Sequence, residues 1–103
     1  MEAVLDRHIE ITPEVRGGRP RIVGTRITVA DVVIMHLRLG QSLEEIAGKY
    51  DLDLGDVYAA MAYYYDHRSQ IDGSIEADEA FAEAFRRNNP SLLQVKLRAL
   101  HSG

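Results

Sequence analysis

"QSLEEIAGKYDLDLGDVYAAMAYYYD", residues 41–66, decides the fold, because it spells two short amphipathic helices joined by "DLD". In the first, Leu43, Ile46, Ala47 and Tyr50 recur at i, i+3, i+4 and i+7, the stripe of a helix with one buried face. In the second, Leu54, Val57, Tyr58, Met61, Ala62 and Tyr65 form the expected core face. Tyr58 and Tyr65 are accordingly expected as core residues with wet hydroxyls. Ser42 with Glu45 is a full capping box at the start of the first helix, and Asp53 with Asp56 marks the second more loosely.

Working towards the N-terminus, Thr28 with Asp31 marks a start ahead of "VADVVIMHLRL", residues 29–39, though with Asp where a full box wants Glu or Gln. That helix is apolar nearly all round and is expected to be the buried one. Gly40 is placed to stop it in a left-handed cap. Three helices in this order predict a tri-helical helix-turn-helix-like core. Before them, Ile9 and Ile11 alternate with Glu10 and Thr12 as a short half-buried strand. "PEVRGG" supplies turn chemistry, and "RPRIV" reads as the return strand with Pro20 at its start or edge. A β-hairpin therefore precedes the helices. The core is assigned to residues 1–73.

Towards the C-terminus the character changes after Asp72–Gly73, so residues 74–103 read as a helical extension. "SIEADEAFAEAFRRNN" is an acidic helix with Phe81, Ala84 and Phe85 as its apolar side. Pro90 breaks it, and "SLLQVKLRAL" adds an amphipathic turn or two with Leu93, Leu97 and Leu100. The fold class is mainly α throughout. No repeat or low-complexity tract interrupts it.

Composition narrows the chemistry. A chain of 103 residues supports one modest core, and with no Cys there is neither a disulfide scaffold nor a thiolate zinc site. The charged start "MEAVLDRHIEI" lacks the apolar run of a signal peptide, and no stretch approaches a membrane span, so a cytoplasmic protein is expected. Net charge is −4, but its distribution is uneven. Residues 1–40 hold six Arg and five acids, whereas residues 41–103 hold six Lys/Arg and eleven acids. An anion-binding surface would lie in the N-terminal part, and the C-terminal part would attract a basic partner.

The sharpest cluster of positive charge is Arg16–Arg26, which sets four arginines and no acid among three glycines and a proline. As a two-stranded ribbon it could bring Arg16, Arg19, Arg21 and Arg26 to nucleic-acid phosphates or bases. The same arginines could instead pair with Glu10, Glu14 and Asp31 as a solvated rim. The glycines make no phosphate loop, since neither a Lys-Ser/Thr ending nor a dinucleotide fingerprint follows them. Nor does the second helix of the helix-turn-helix offer base-reading groups. Gly55, Asp56, Ala59, Ala60, Tyr63 and Asp66 lie off its expected core face, and two of them would repel a phosphate backbone. His8, His36, His67 and His101 lie far apart, so neither a metal site nor a catalytic constellation is expected, and no cofactor is implied.

"GGRPRIVGTRITVADVV" followed by "LGQSLEEIAGKYDLDLGDVYAAMAYYYDHRSQID" resembles the small bacterial family known as domain of unknown function 433. The likeness covers about residues 8–76, with the Gly-Arg-Pro segment, the Gly-Thr-Arg-Ile step and both helices in order. It implies a winged or tri-helical helix-turn-helix-like fold. It also implies a role as antitoxin of a type II toxin–antitoxin pair, encoded beside a PIN-like ribonuclease. Gly18 and Pro20 would then form the hairpin turn, and Gly24, Thr25 and Arg26 the step into the first helix. The pattern's proline after the second-helix Tyr is replaced here by Asp51.

Three functions follow as expectations. The first is an antitoxin-like adaptor, a homodimer through paired hairpins, whose extension grips a PIN-like toxin through Phe81, Phe85, Arg86, Arg87, Leu93 and Leu97, with weak DNA binding for autoregulation. The second is a stand-alone helix-turn-helix transcriptional regulator. The third is a helix-turn-helix used purely as packing architecture.

Overall fold

The computed structural model describes residues 8–88. Contacts divide the chain into two units, Met1–Asp72 and Gly73–Gly103. The architecture is mainly helical, with a short N-terminal antiparallel hairpin. Strand β1 (Ile9–Glu10) pairs with β2 (Arg21–Ile22) in the register Ile9 to Ile22 and Glu10 to Arg21. A further antiparallel bridge joins Arg21 to Thr28, so β2 lies between β1 and the approach to the first helix. The Ile22 N–H donates to Ile27 O at 2.8 Å and the Val29 N–H to Pro20 O at 2.9 Å. Between the strands, Arg16–Gly18 makes one 3₁₀ turn in which Arg16, Gly17 and Gly18 all have positive φ. At Gly18 (φ 77°) a side chain would be strained, which is what a glycine in this turn is for.

Helix α1 (Val29–Val33) starts at Thr28 and continues as a π-helical turn over Ile34–Arg38. The looser turn shows in the Leu39 N–H donating to Ile34 O, five residues back. Gly40 then takes φ 74° and ends the run, as its position in the sequence predicts. Val29, Val32 and Val33 are buried, but Leu37 and Leu39 are exposed, so this helix is not enclosed on all sides. The π turn explains the departure: adding a residue to the turn moves the last apolar side chains off the buried face.

Helix α2 (Leu43–Tyr50) opens with the reciprocal Ser42–Glu45 box, its bonds at 2.8 and 3.0 Å. Thr28–Asp31 is an equally complete box at 3.0 Å each way, because an Asp at the third position reaches back as a Glu does. Helix α3 (Leu54–Asp66) begins at Asp53, whose side chain makes no cap bond. Between α2 and α3, Asp51 sits in the left-handed region at φ 55°. A proline ring could not adopt that angle, so the ending seen here could not be made with the proline that the resembled pattern carries at this place.

The core of the first unit gathers Ile9, Ile22, Val29, Val32, Ile46, Val57, Ala60 and Met61. On α3 the buried face is Val57, Ala60, Met61 and Tyr64. The expected face of Leu54, Val57, Tyr58, Met61, Ala62 and Tyr65 is therefore rotated: Tyr58 and Tyr65 are 51% and 57% exposed, and Ala60 is inside. Helix α3 is apolar on two sides, and periodicity cannot say which of them meets α1. Helix α4 (Arg68–Asn88) begins six residues before Ser74 and runs through Gly73 without a break. Ile71 and Ile75 are buried on it, and Tyr64 donates its hydroxyl to Asp72 at 3.0 Å. Among the described residues no helix is long and apolar enough to cross a membrane.

Candidate functional site

The arginine segment is organised by two carboxylates. Arg21 is buried, and its guanidinium donates to Glu10 Oε2 at 2.9 Å and to Thr12 Oγ1 at 3.0 Å. Glu10 Oε2 also accepts the Gly24 N–H at 3.0 Å, tying the end of β2 to β1. Arg16 donates to Arg26 O at 2.8 Å and to Asp31 Oδ2 at 3.2 Å. Asp31 thus closes the cap of α1 and holds the turn at Arg16 at once. Arg26 is exposed and Arg19 half-buried. Arg21 and Arg16 are engaged with Glu10 and Asp31, and Arg26 is the most exposed cation of the cluster.

Helix α3 carries a second surface that its sequence pattern assigns to the interior. Leu54 (41% exposed), Tyr58, Ala62 and Tyr65 line its outer side, with Gly55 exposed and Ala59 half-buried beside them. In a DNA-reading helix-turn-helix this is the side of the second helix that would meet bases, and here it holds no cationic or amide donor. The Tyr58 hydroxyl donates to Glu44 Oε2 at 3.3 Å, and the nearby Glu44 charge raises the tyrosine's pKa. Side-chain type does not mark this face in the sequence, because the buried side carries a tyrosine as well, Tyr64.

The other titratable groups do not assemble. His8 bonds Asp56 through Nδ1, His36 Nδ1 lies 2.7 Å from Gln41 O, and His67 stacks on Tyr63 at 4.0 Å. Burial raises the Tyr63 pKa. Among the described residues no group of three His, Cys, Asp or Glu could hold a metal ion. An open cavity of about 230 Å³ lies against α1, lined by Ile27, Asp31, Ile34, Met35 and Tyr50. Its one carboxylate, Asp31, is already bonded to Arg16 and the Thr28 N–H.

In the second unit, Phe81 and Phe85 are one turn apart on α4 and 74% and 52% exposed. Arg86 and Arg87 close the same helix, Arg86 donating to Glu83 at 2.8 Å. Leu93, Leu97 and Leu100 lie outside the described residues, as do Pro90 and His101.

A family model described as "Protein of unknown function (DUF433)" matches residues 9–64. That span runs from β1 to the buried Tyr64 and includes both capping boxes. Among solved structures, a DUF433 member protein from Anabaena variabilis ATCC 29413, with a crystal structure at 2.00 Å, is similar at 36% identity with a TM-score of 0.62. The match covers 72% of this chain and 73% of that one. No curated protein matches.

Proposed function

The chain belongs to the DUF433 family, and we propose that it is an antitoxin-like adaptor of a type II toxin–antitoxin pair, binding and neutralising a PIN-like ribonuclease. The observation that carries this reading is the exposure of two large apolar side chains on α4, 74% at Phe81 and 52% at Phe85. Burying two such rings against a partner would contribute roughly 1.5–3 kcal/mol each, before the cost of ordering. Arg86 and Arg87 follow directly, and their guanidinium groups would complement the acidic, metal-binding centre of a PIN-like enzyme. Leu93 and Leu97 extend the same apolar pattern in sequence.

DNA contact for autoregulation is the secondary part of this proposal, and it falls to Arg16, Arg19 and Arg26 rather than to α3. The outer face of α3 offers bases no hydrogen-bond donor but the Tyr hydroxyls, which disfavours a stand-alone regulator reading sequence through that helix.

Co-expression with a PIN-like ribonuclease encoded beside this chain tests the proposal. The two proteins should co-purify, and Phe81→Ala/Phe85→Ala should abolish the complex while the helical circular dichroism is kept. Absence of a complex with the unaltered chain would refute the adaptor role, and a complex indifferent to both substitutions would refute the grip through α4. For the DNA part, Arg19→Ala/Arg26→Ala should weaken duplex binding and flatten its salt dependence by about 0.9 for each phosphate no longer neutralised.

A further inference from the structure

We infer that Arg26 is a DNA-phosphate contact and that Arg16, held by Asp31, is the residue that positions it. This rests on the DNA-contact part of the proposed function and separates a contacting arginine from a supporting one. Arg16 Nη1 donates to Arg26 O at 2.8 Å and to Asp31 Oδ2 at 3.2 Å. Its charge is therefore committed to Asp31, and its other bond falls on the Arg26 backbone. Asp31 is fixed in turn, since Oδ2 also accepts the Thr28 N–H at 3.0 Å. Arg16 makes these bonds from φ 50°, a left-handed angle unfavourable for a residue with a side chain.

The chain on either side of Arg26 is held as well. Thr25 Oγ1 donates to Ile22 O at 2.9 Å and accepts the Ile27 N–H at 3.0 Å. The Ile22 N–H donates to Ile27 O at 2.8 Å, so residues 22–27 close into a loop that contains Arg26. The Arg26 side chain is exposed, and its guanidinium makes no hydrogen bond or ion pair among the described residues. An unpaired guanidinium on a pinned backbone suits a phosphate oxygen: it presents a fork of N–H donors, and little backbone freedom is lost on binding.

Charge alone and positioning predict opposite signs at Asp31. Removing its carboxylate raises the local positive charge and frees the Arg16 guanidinium, which by charge alone should tighten DNA binding. If Arg16 acts through the Arg26 backbone, the same change releases the loop and binding weakens. A released loop that holds the competent arrangement about a third of the time lowers affinity about threefold.

Fluorescence-anisotropy titrations of the full chain against a short mixed-sequence DNA duplex, from about 50 to 200 mM salt, test this. Arg26→Ala should flatten the slope of log affinity against log salt by about 0.9, the share of one phosphate. Arg16→Met should lower affinity about threefold with the slope unchanged, because it removes a support and no phosphate contact. Asp31→Ala should weaken binding by a similar factor, and it decides the same question should Arg16→Met fail to fold by circular dichroism. Absence of duplex binding by the unaltered chain would remove the DNA reading and this assignment with it. Tighter binding by Asp31→Ala, a slope flattened by Arg16→Met as by Arg26→Ala, or a slope indifferent to Arg26→Ala would overturn the assignment and leave the DNA reading standing.

Discussion

Removing Glu10 should destabilise this protein more than removing Arg21, although Arg21 is the more deeply buried partner. The two are joined at 2.9 Å, with 7% of the arginine side chain exposed and 38% of the glutamate. Glu10→Ala leaves the guanidinium enclosed with Thr12 Oγ1 as its remaining acceptor at 3.0 Å. Stranding one charge of a fully buried pair costs about 3–5 kcal/mol, and water reaching this half-exposed pair reduces that to about 2–3 kcal/mol. The same change deprives the Gly24 N–H of its acceptor, adding up to about 1 kcal/mol. Arg21→Met behaves differently. It removes two hydrogen bonds, but it also removes a buried cation whose Nε has no acceptor among the described residues. The glutamate it leaves behind can turn to water. Exchange of a buried charge for an apolar side chain of similar length is often neutral, so the change should stay within about 1 kcal/mol. Urea unfolding at pH 7 with a shared m-value measures both. Arg21→Met costing as much as Glu10→Ala, or Glu10→Ala lying within about 0.5 kcal/mol of the unaltered protein, would refute the reasoning.

Helix caps give a graded series: Thr28→Ala and Ser42→Ala should each cost about 1 kcal/mol, and Asp53→Ala clearly less, since its side chain caps nothing; equal losses in thermal melts would contradict this. Glycines should split by backbone angle. Gly18→Val, at φ 77°, should cost about 1–2 kcal/mol or more, while Gly48→Ala, inside α2 with open space around it, should stabilise by about 0.5–1 kcal/mol in the same melts. The Glu45 pKa is lowered by hydrogen bonds from the Ser42 backbone and hydroxyl. A depressed carboxylate stabilises the folded form above its unfolded pKa, and that contribution is lost as pH falls from about 4.5 through the lower folded value. NMR titration of Glu45 should show its pKa moving part of the way towards the ordinary value in Ser42→Ala, because the Ser42 backbone N–H still donates to it, and an unmoved pKa would show that the hydroxyl does not contribute.

Helix starts were legible because a cap is a local device: Thr28, Ser42 and Gly40 act within a few residues of themselves. The hairpin was legible for the same reason, since Gly17–Gly18 mark its turn locally. Its register was not, and the strand reading overreached at Ile11, which is exposed beyond the end of β1. Which side of α3 faces inward was not legible either. Both Val57–Met61 and Leu54–Tyr58–Tyr65 satisfy a helical period, and only packing against α1 separates them. The π turn at Ile34–Arg38 was equally hidden, because nothing in "IMHLR" distinguishes a five-residue hydrogen bond from a four-residue one. In the arginine segment the sequence offered the partners Glu10 and Asp31 but not their burial. Arg21 is committed to Glu10 inside the fold, while Arg26 stays in solvent, and one residue type at one charge density holds both roles.

Ribonuclease inhibition tests the adaptor proposal most directly. The full chain would be titrated into the product of the adjacent gene, which the proposal takes to be a PIN-like ribonuclease, and RNA cleavage followed. The unaltered protein and Arg19→Ala/Arg26→Ala should both abolish cleavage near stoichiometric ratio, and Phe81→Ala/Phe85→Ala should fail to do so while remaining folded. Cleavage that continues undiminished in an excess of the unaltered chain would contradict the proposal.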